Sequence, residues 1–504
     1  MTVMPQSIAA MEVFIGSMML GAVPAFLAYP NNKVEPSKYK SGLAGVTANL
    51  QARFVIIDEN FPQELLDYVS PSAGTKLLRA ERRQSSVASD RRYSPVSADT
   101  LALIQHSAGT TGLQKGVALT HAAVLTQIGH LEQALKIDVA SDCIYSWLPL
   151  YHDMGLIACF MLPMVCHLPV VMQSPVDWVM QPETMLQAIS AHHCTLAWLP
   201  NFAFQFVARR TRLERFDILP DLSCVRALIN CSEPVRARSM QEFQDSFAKV
   251  GFEPSALQSS YAMAENVFAI SQSRAGASAG LVRIWADERE FRGNHRIVKV
   301  AEGTAGALCF VSSGQLLPNH EIQIVDESGD LPHGSIGEIL VHSDCLFSGY
   351  YNRHDLTEQV LKDGWYRTGD LGFFLDGELF VVGRKKDLII VAGENFYPQD
   401  IEEIVALHPA IHDGRVVAMG AYNPETGTED VLVVAELESE NSLNQAGTIE
   451  QELRNAVIRG MGIAVSRIYL KPPKWIVKST AGKPARSATL EKLRKEHPEL
   501  SEQD

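Results

Sequence analysis

The sequence predicts an α/β protein: a large N-terminal unit of parallel-rich sheets flanked by helices, with a small β-rich part, then a smaller α+β unit. Three observations carry this. Up to about residue 305, short apolar runs alternate with helical stretches. Beyond it, short strands and tight turns take over. Past the basic run Gly383-Arg-Lys-Lys-Asp387 a new mixed pattern begins. Residues 1–382 are therefore read as the large unit, 383–387 as the connection and 388–504 as the small unit. At roughly 150 residues per domain, 504 residues suit one large domain plus a smaller one.

Taken in order, Ala9–Leu20 reads as a core helix and Ala22–Ala28 as a strand, joined at Gly21. The apolar run from Phe14 to Ala28 is broken by Gly16, Gly21 and Pro24. It is shorter than the ~20 residues of a membrane span. No Lys or Arg precedes Lys33, so the charged start of a signal peptide is missing. Phe54–Asp58 and Leu101–His106 read as buried strands, and Ser85–Thr100 as a polar surface loop. Thr120 caps a helix over Ala122–Leu135. Cys143–Leu148, Leu168–Met172, Thr195–Leu199 and Ala227–Asn230 read as short strands between helices, the pattern of parallel pairing. Farther on, Glu321–Val325 and Gly337–His342 flank the turn Asp326-Glu-Ser-Gly329. Asp376-Gly377 joins Gly372–Leu375 to Glu378–Val382 as a hairpin. The small unit holds a helix at Pro398–Leu407, strands at Arg415–Met419 and Val431–Leu437, a helix at Ile449–Gly460 and a last helix from about Ala488.

Lys and Arg number 44 against 58 Asp and Glu, a formal net charge of −14. Broad nucleic-acid binding needs a basic footprint, so nucleic acid is excluded as a partner. None of the eight cysteines forms a Cys-x-x-Cys pair. His342 precedes Cys345 by three residues, but no second Cys/His pair completes a zinc-like array. Buried, reduced thiols in a cytoplasmic protein are the reading adopted.

The densest chemical signal is Ser107-Ala-Gly-Thr-Thr-Gly-Leu-Gln-Lys-Gly116, which follows a strand. Gly109 and Gly112 let the backbone approach a polyanion. The hydroxyls of Ser107, Thr110 and Thr111 donate hydrogen bonds, and Lys115 adds positive charge, which together make a phosphate cradle. The Walker pattern fails, because Gln114 stands where its second glycine belongs and Gly116 follows Lys115. A hairpin turn of small residues is the competing reading. Ser479-Thr-Ala-Gly-Lys483-Pro-Ala-Arg486 also fails the Walker pattern and by itself reads as a solvated basic loop. Asp370, in Tyr366-Arg-Thr-Gly-Asp370, is expected in a tight turn, where a carboxylate can accept from two ribose hydroxyls. Glu265, in Tyr261-Ala-Met-Ala-Glu265, can hold Mg²⁺ beside substrate phosphates or serve as a helix N-terminal acid. Gly276-Ala-Ser278-Ala-Gly280 matches a hydrolase pattern, but no apolar strand precedes it, which removes Ser278 as a nucleophile. His152-Asp153 reads as no dyad, since sequence neighbours generally point apart, and His192-His193 lacks ligand spacing.

In this order, SAGTTGLQKG (107–116), CSEP (231–234), YAMAE (261–265), YRTGD (366–370), GRKKD (383–387) and STAGK (479–483) resemble the adenylate-forming enzymes: acyl-CoA synthetases, luciferases and peptide-synthetase adenylation domains. Within that superfamily the chain looks most like the fatty acyl-AMP ligases. Leu148-Pro-Leu-Tyr-His-Asp-Met-Gly-Leu156 resembles their P-x-x-H-D-M-G-L signature, and Pro200-Asn-Phe-Ala203 their P-N-F-A stretch. Ala264 and extra sequence between about Ala279 and Thr304 fit the same branch. Ala108, Gln114, Ser232 and Ala262 depart from the family pattern, as does Glu394, where acyl-AMP ligases often carry Arg. The family's first helix–strand unit is expected to be missing, because Glu12–Pro30 resembles the segment that normally follows it.

The resemblance implies ATP-dependent activation of a fatty acid to acyl-AMP, then transfer to the thiol of an acyl carrier protein. Transfer to free CoA is the alternative, and a degenerate nucleotide- or acyl-binding protein a third reading. It implies Mg²⁺ on Glu265, with Lys115 at the β,γ-phosphates and Lys483 bridging the carboxylate and the α-phosphate. Ser107, Gly109, Thr110, Thr111 and Gly112 would cradle phosphate. Ser232, Glu233, Pro234, Tyr261, Ala262, Met263 and Ala264 would belong to the nucleotide site, with Tyr261 flanking the adenine. Asp370 and Arg384 would fix ribose and phosphate. His152, Trp147, Phe202 and Asn201 would line the acyl entrance. Asp387 would be the hinge of a small unit that swings as a lid.

Overall fold

The computed structural model describes residues 1–30, 36–69, 74–80, 95–106, 115–274, 280–391, 394–423, 426–478, 483–497 and 500. Its largest sheet has seven strands. Val170–Met172, Ile144–Ser146, Leu196–Leu199, Ala227–Asn230 and Leu257–Ala262 lie side by side in parallel. Ala269–Gln272 and Gln315–Leu316 extend the sheet antiparallel. The parallel strands read as unbroken apolar runs because helices cover them. Trp198, Phe204, Phe243 and Phe268 are fully buried in the main core. Helix His121–Leu135 begins where expected, with the Thr120 hydroxyl accepting from Ala123 N–H at 3.1 Å.

The expected strand Ala22–Ala28 does not form. Only Phe26 makes a bridge, to Thr2. The partner strand Thr2–Val3 is two residues long, and Pro24 has no N–H to give a ladder. The segment is buried instead by stacking, with Phe26 and Phe14 rings 4.7 Å apart.

Beyond residue 305 a second sheet contains His320–Asp326, Gly337–Ser343, Trp365–Leu375 and Glu378–Arg384, all antiparallel neighbours. The Asp376-Gly377 hairpin forms with φ of 53° and 81°, the left-handed pair such a two-residue turn requires. The extra sequence supplies the strands Arg283–Asp287 and Lys299–Val300 and helix Glu288–Asn294, and Ala307–Val311 just beyond it completes a three-stranded sheet. It packs on the chain after residue 393: Phe291 lies 5.6 Å from Tyr397, and the Arg292 guanidinium lies 5.0 Å from the Phe396 ring.

The last sheet, Ile411–Asn423, Thr428–Leu437 and Arg467–Lys471, buries both faces. Val416, Ala418, Val431 and Val433 face helices Pro398–Ala406 and Ala446–Met461. Val417, Met419, Leu432 and Val434 pack with Leu493 of helix Arg486–Glu496. This is the period-two alternation of a strand put to use on both sides. No described helix is long and apolar enough to cross a membrane.

Candidate active site

Four parallel strands end on one edge. Ile144–Ser146 leads to Trp147, and Leu196–Leu199 leads to Asn201 and Phe202. Ala227–Asn230 leads to Ser232 and Glu233, and Leu257–Ala262 carries Tyr261. The C-terminal edge of such a sheet is where α/β folds bind ligands. Ala262 and Met263 are half-buried there, Ala264 is buried and Pro234 is exposed. Ser107, Gly109, Thr110, Thr111 and Gly112 lie outside the described residues, as do residues 275–279 with Ser278.

Lys115 opens the strand Gly116–Thr120 and holds its ammonium 4.4 Å from the Tyr350 ring centroid. Tyr350 donates its hydroxyl to Glu265 Oε1 at 2.8 Å. Burial, then the Glu265 carboxylate, push the Tyr350 pKa up, so it stays a donor. The Glu265 carbonyl accepts from Phe347 N–H at 2.8 Å. Two residues on, Val267 has φ 60° and ψ −55°, and Phe268 N–H reaches Asn266 O at 2.6 Å. That is a strained γ-turn at a β-branched residue. One oriented carboxylate is the protein donor that Mg²⁺ takes together with substrate phosphates.

Asp370 is not in a turn, contrary to expectation. It lies within the strand Trp365–Leu375, opposite Arg384 and next to a register irregularity at Leu371/Gly372. Gly369 takes φ 71° where the ladder to Gly337–Ser343 skips from Arg367 to Leu371, and the strand resumes beyond it. Tyr261 donates to Asp370 Oδ2 at 2.6 Å, and Arg384 Nε sits 3.2 Å from Oδ1. The Asp370 charge raises the Arg384 pKa, against the effect of burial.

Lys483 comes from the far end of the chain and donates from Nζ to the Ser232 carbonyl. Ser232 has φ 69°, the left-handed conformation for which glycine is the usual residue. His152 and Asp153 do meet, against expectation: His152 Nδ1 lies 2.6 Å from Asp153 Oδ1. The turn closed by His152 N–H to Pro149 O at 3.1 Å folds both to one side. Asp153 also accepts from Met154 N–H at 2.8 Å, at the start of the π-helical segment Met154–Met161. Burial opposes its charge, yet His152, the Met154 N–H and the Lys483 ammonium hold its carboxyl below the ordinary range.

The aromatic wall is Trp147 stacked on Trp178 at 3.7 Å, with Phe202 edge-on to both. Asn201 is turned to other work. Its Nδ2 donates to Ser239, and its Oδ1 accepts from Asn230 and from Arg236 N–H, so it fastens the 230–239 loop. Glu233 Oε2 accepts from Phe202 N–H at 3.0 Å. Asp387 lies 3.3 Å from Arg486, which also pairs with Glu402 at 2.7 Å. Sequence reasoning missed Tyr350, Asp153, Trp178 and the Arg486 pairing. Only the quoted neighbours His152 and Lys483 pointed toward two of them.

Residues 1–351 match the family described as AMP-binding enzyme. The provisionally named fatty-acid–CoA ligase fadD25 of Mycobacterium tuberculosis is 28% identical over 98% of this chain and 87% of that protein. JamA of Moorena producens, a medium-chain-fatty-acid–[acyl-carrier-protein] ligase by name, is 30% identical over 96% and 83%. A solved structure from a study of fatty acyl-adenylate ligases of E. coli and L. pneumophila superposes with a TM-score of 0.89 at 27% identity, covering 99% of this chain and 88% of that one.

Proposed function

We propose a two-step acyl transfer for this chain, which belongs to the AMP-binding enzyme family and most resembles its fatty acyl-AMP ligases. In the first step a fatty carboxylate oxygen attacks the α-phosphorus of ATP, the bond to the β-phosphate breaks, and pyrophosphate leaves. In the second, a thiol sulfur attacks the acyl carbon, AMP leaves, and the thiol proton passes to solvent. The single observation that carries the reading is the seating of Lys483 on Ser232, at the sheet edge that also bears Tyr261 with its partners Asp370 and Arg384.

Both reactants of the first step are anions, so rate comes from charge neutralisation and positioning. Lys483 holds the carboxylate against the α-phosphate. Lys115 and Arg384 take the remaining phosphate charge, Asp370 accepts from ribose hydroxyls, and Tyr261 keeps Asp370 oriented. Mg²⁺, when bound, supplies further charge neutralisation at the phosphates, and Glu265 would hold it. Trp147, Trp178 and Phe202 wall the acyl chain, and His152 with Asp153 stands at its entrance. Residues 388–504 act as the lid, with Asp387 as hinge. Arg486 engages that hinge residue in the present arrangement.

The acceptor proposed is the phosphopantetheine thiol of an acyl carrier protein. The relative JamA carries such a name, and the extra sequence braces the chain beyond the hinge through Phe291 and Arg292. The fatty-acid–CoA ligase name of fadD25 favours free CoA as the second reading. Adenylation across a panel of fatty and aryl acids, with each acceptor in turn, separates them. Acyl-CoA formation at a rate matching carrier loading would overturn the carrier reading. Lys483→Ala should abolish carboxylate-dependent pyrophosphate exchange while leaving ATP binding, and retained exchange would remove the role given to Lys483.

A further inference from the structure

Cys345 does not partner with His342, its neighbour in sequence, whose Nδ1 lies 2.8 Å from the Gly364 carbonyl. The fold surrounds it with two other histidines. His130 comes from helix His121–Leu135, and His320 from the start of strand His320–Asp326. One ligand atom from each of the three lies within 4.8 Å of the others, and all three residues are buried. His130 Nδ1 is 3.6 Å from Cys345 Sγ.

The far nitrogens both face acceptors. His320 Nδ1 lies 2.8 Å from the Pro318 carbonyl, which can only accept. That nitrogen therefore carries the proton, and Nε2 presents a lone pair, which now accepts from the Asn266 amide at 2.8 Å. His130 Nε2 lies 3.8 Å from Asp344 Oδ2, so its Nδ1 is the nitrogen turned to sulfur. Histidines that bind metals are held in this way, by a carbonyl or carboxylate on one nitrogen with the lone pair of the other facing the ion.

We propose that His130, His320 and Cys345 form a site for a thiophilic divalent cation such as Zn²⁺, built from none of the residues assigned to the nucleotide. Mixed imidazole and thiolate ligands suit zinc. On binding, the Cys345 thiol releases its proton to solvent as the metal–sulfur bond forms, and the Asn266 amide leaves His320 Nε2. Asp344, whose Oδ1 is 3.4 Å from Cys345 Sγ, or water completes the shell. The ion ties the helix flanking the large sheet to the β-rich part.

The test uses the full, reduced, metal-free chain titrated with Co²⁺ and then Zn²⁺. One equivalent of Co²⁺ should give a thiolate-to-cobalt charge-transfer band that Zn²⁺ displaces. Cys345→Ser should lose the band, and His130→Gln should weaken Co²⁺ binding at least tenfold. X-ray absorption on the unaltered chain with one equivalent of Zn²⁺ decides independently of how the variants fold. One sulfur and two imidazoles are expected in the shell. A shell without sulfur, no thiolate band, or a band that survives in folded Cys345→Ser overturns the proposal.

Discussion

Tyr350 joins two groups that lie far apart in the chain. Its ring carries the Lys115 ammonium, and its hydroxyl orients Glu265. Tyr350→Phe keeps the ring and removes the hydroxyl. A hydrogen bond to a charged group contributes about 1.5–3 kcal/mol. We expect the Mg²⁺ concentration for half-maximal pyrophosphate exchange to rise about tenfold, with ATP affinity nearly unchanged. An unaltered Mg²⁺ titration would count against Glu265 as the metal-holding group. Glu265 and Lys115 were legible because each sits in a dense motif. Tyr350 was not, because Gly349-Tyr350 reaches them only by pairing with Val117 and Ala118 of a distant strand.

At the scale of elements, Gly155 shows why one motif carries a glycine. A Cβ there would lie 2.3 Å from the Pro149 carbonyl oxygen, and backbone cannot move aside as a side chain can. Gly155→Ala must therefore shift the turn that holds His152 on Asp153 and loosen the start of the π-helical segment. Overpacking of this kind typically costs about 1–3 kcal/mol. A lower melting temperature together with a raised KM for the fatty acid is expected. An unchanged KM would detach this turn from acid binding. The hairpin at Asp376-Gly377 was legible because its turn chemistry is local. Asp370 was misplaced because the glycine before it reads as a turn signal, whereas pairing with Arg384 of the next strand keeps it in the sheet, although the strand on its other side skips residues 368–370.

At the scale of the whole molecule, charge pairs hold the C-terminal elements against the large sheet's flank. Arg236 bonds Asp400 at 2.9 Å and lies 3.5 Å from Glu403, and Arg209 bonds both Glu242 and Asp413. These pairs accompany the arrangement in which Lys483 meets Ser232. Arg236→Ala should slow pyrophosphate exchange several-fold with little change in melting temperature, since partly exposed pairs contribute about 1 kcal/mol or less. Rising salt should slow the parent enzyme in the same direction, because these pairs are screened. Exchange insensitive to both would separate the pairs from the first step. The sequence by itself determined the parallel sheet, the order of the motifs and most element boundaries, because apolar period, capping and turn chemistry act over a few residues. The tertiary structure alone decided that Lys483 meets Ser232, that Tyr350 meets Glu265, and that Cys345 finds His130 and His320 and not His342. Those meetings depend on strand order and on how helices pack across the sheets, which no local run of residues specifies.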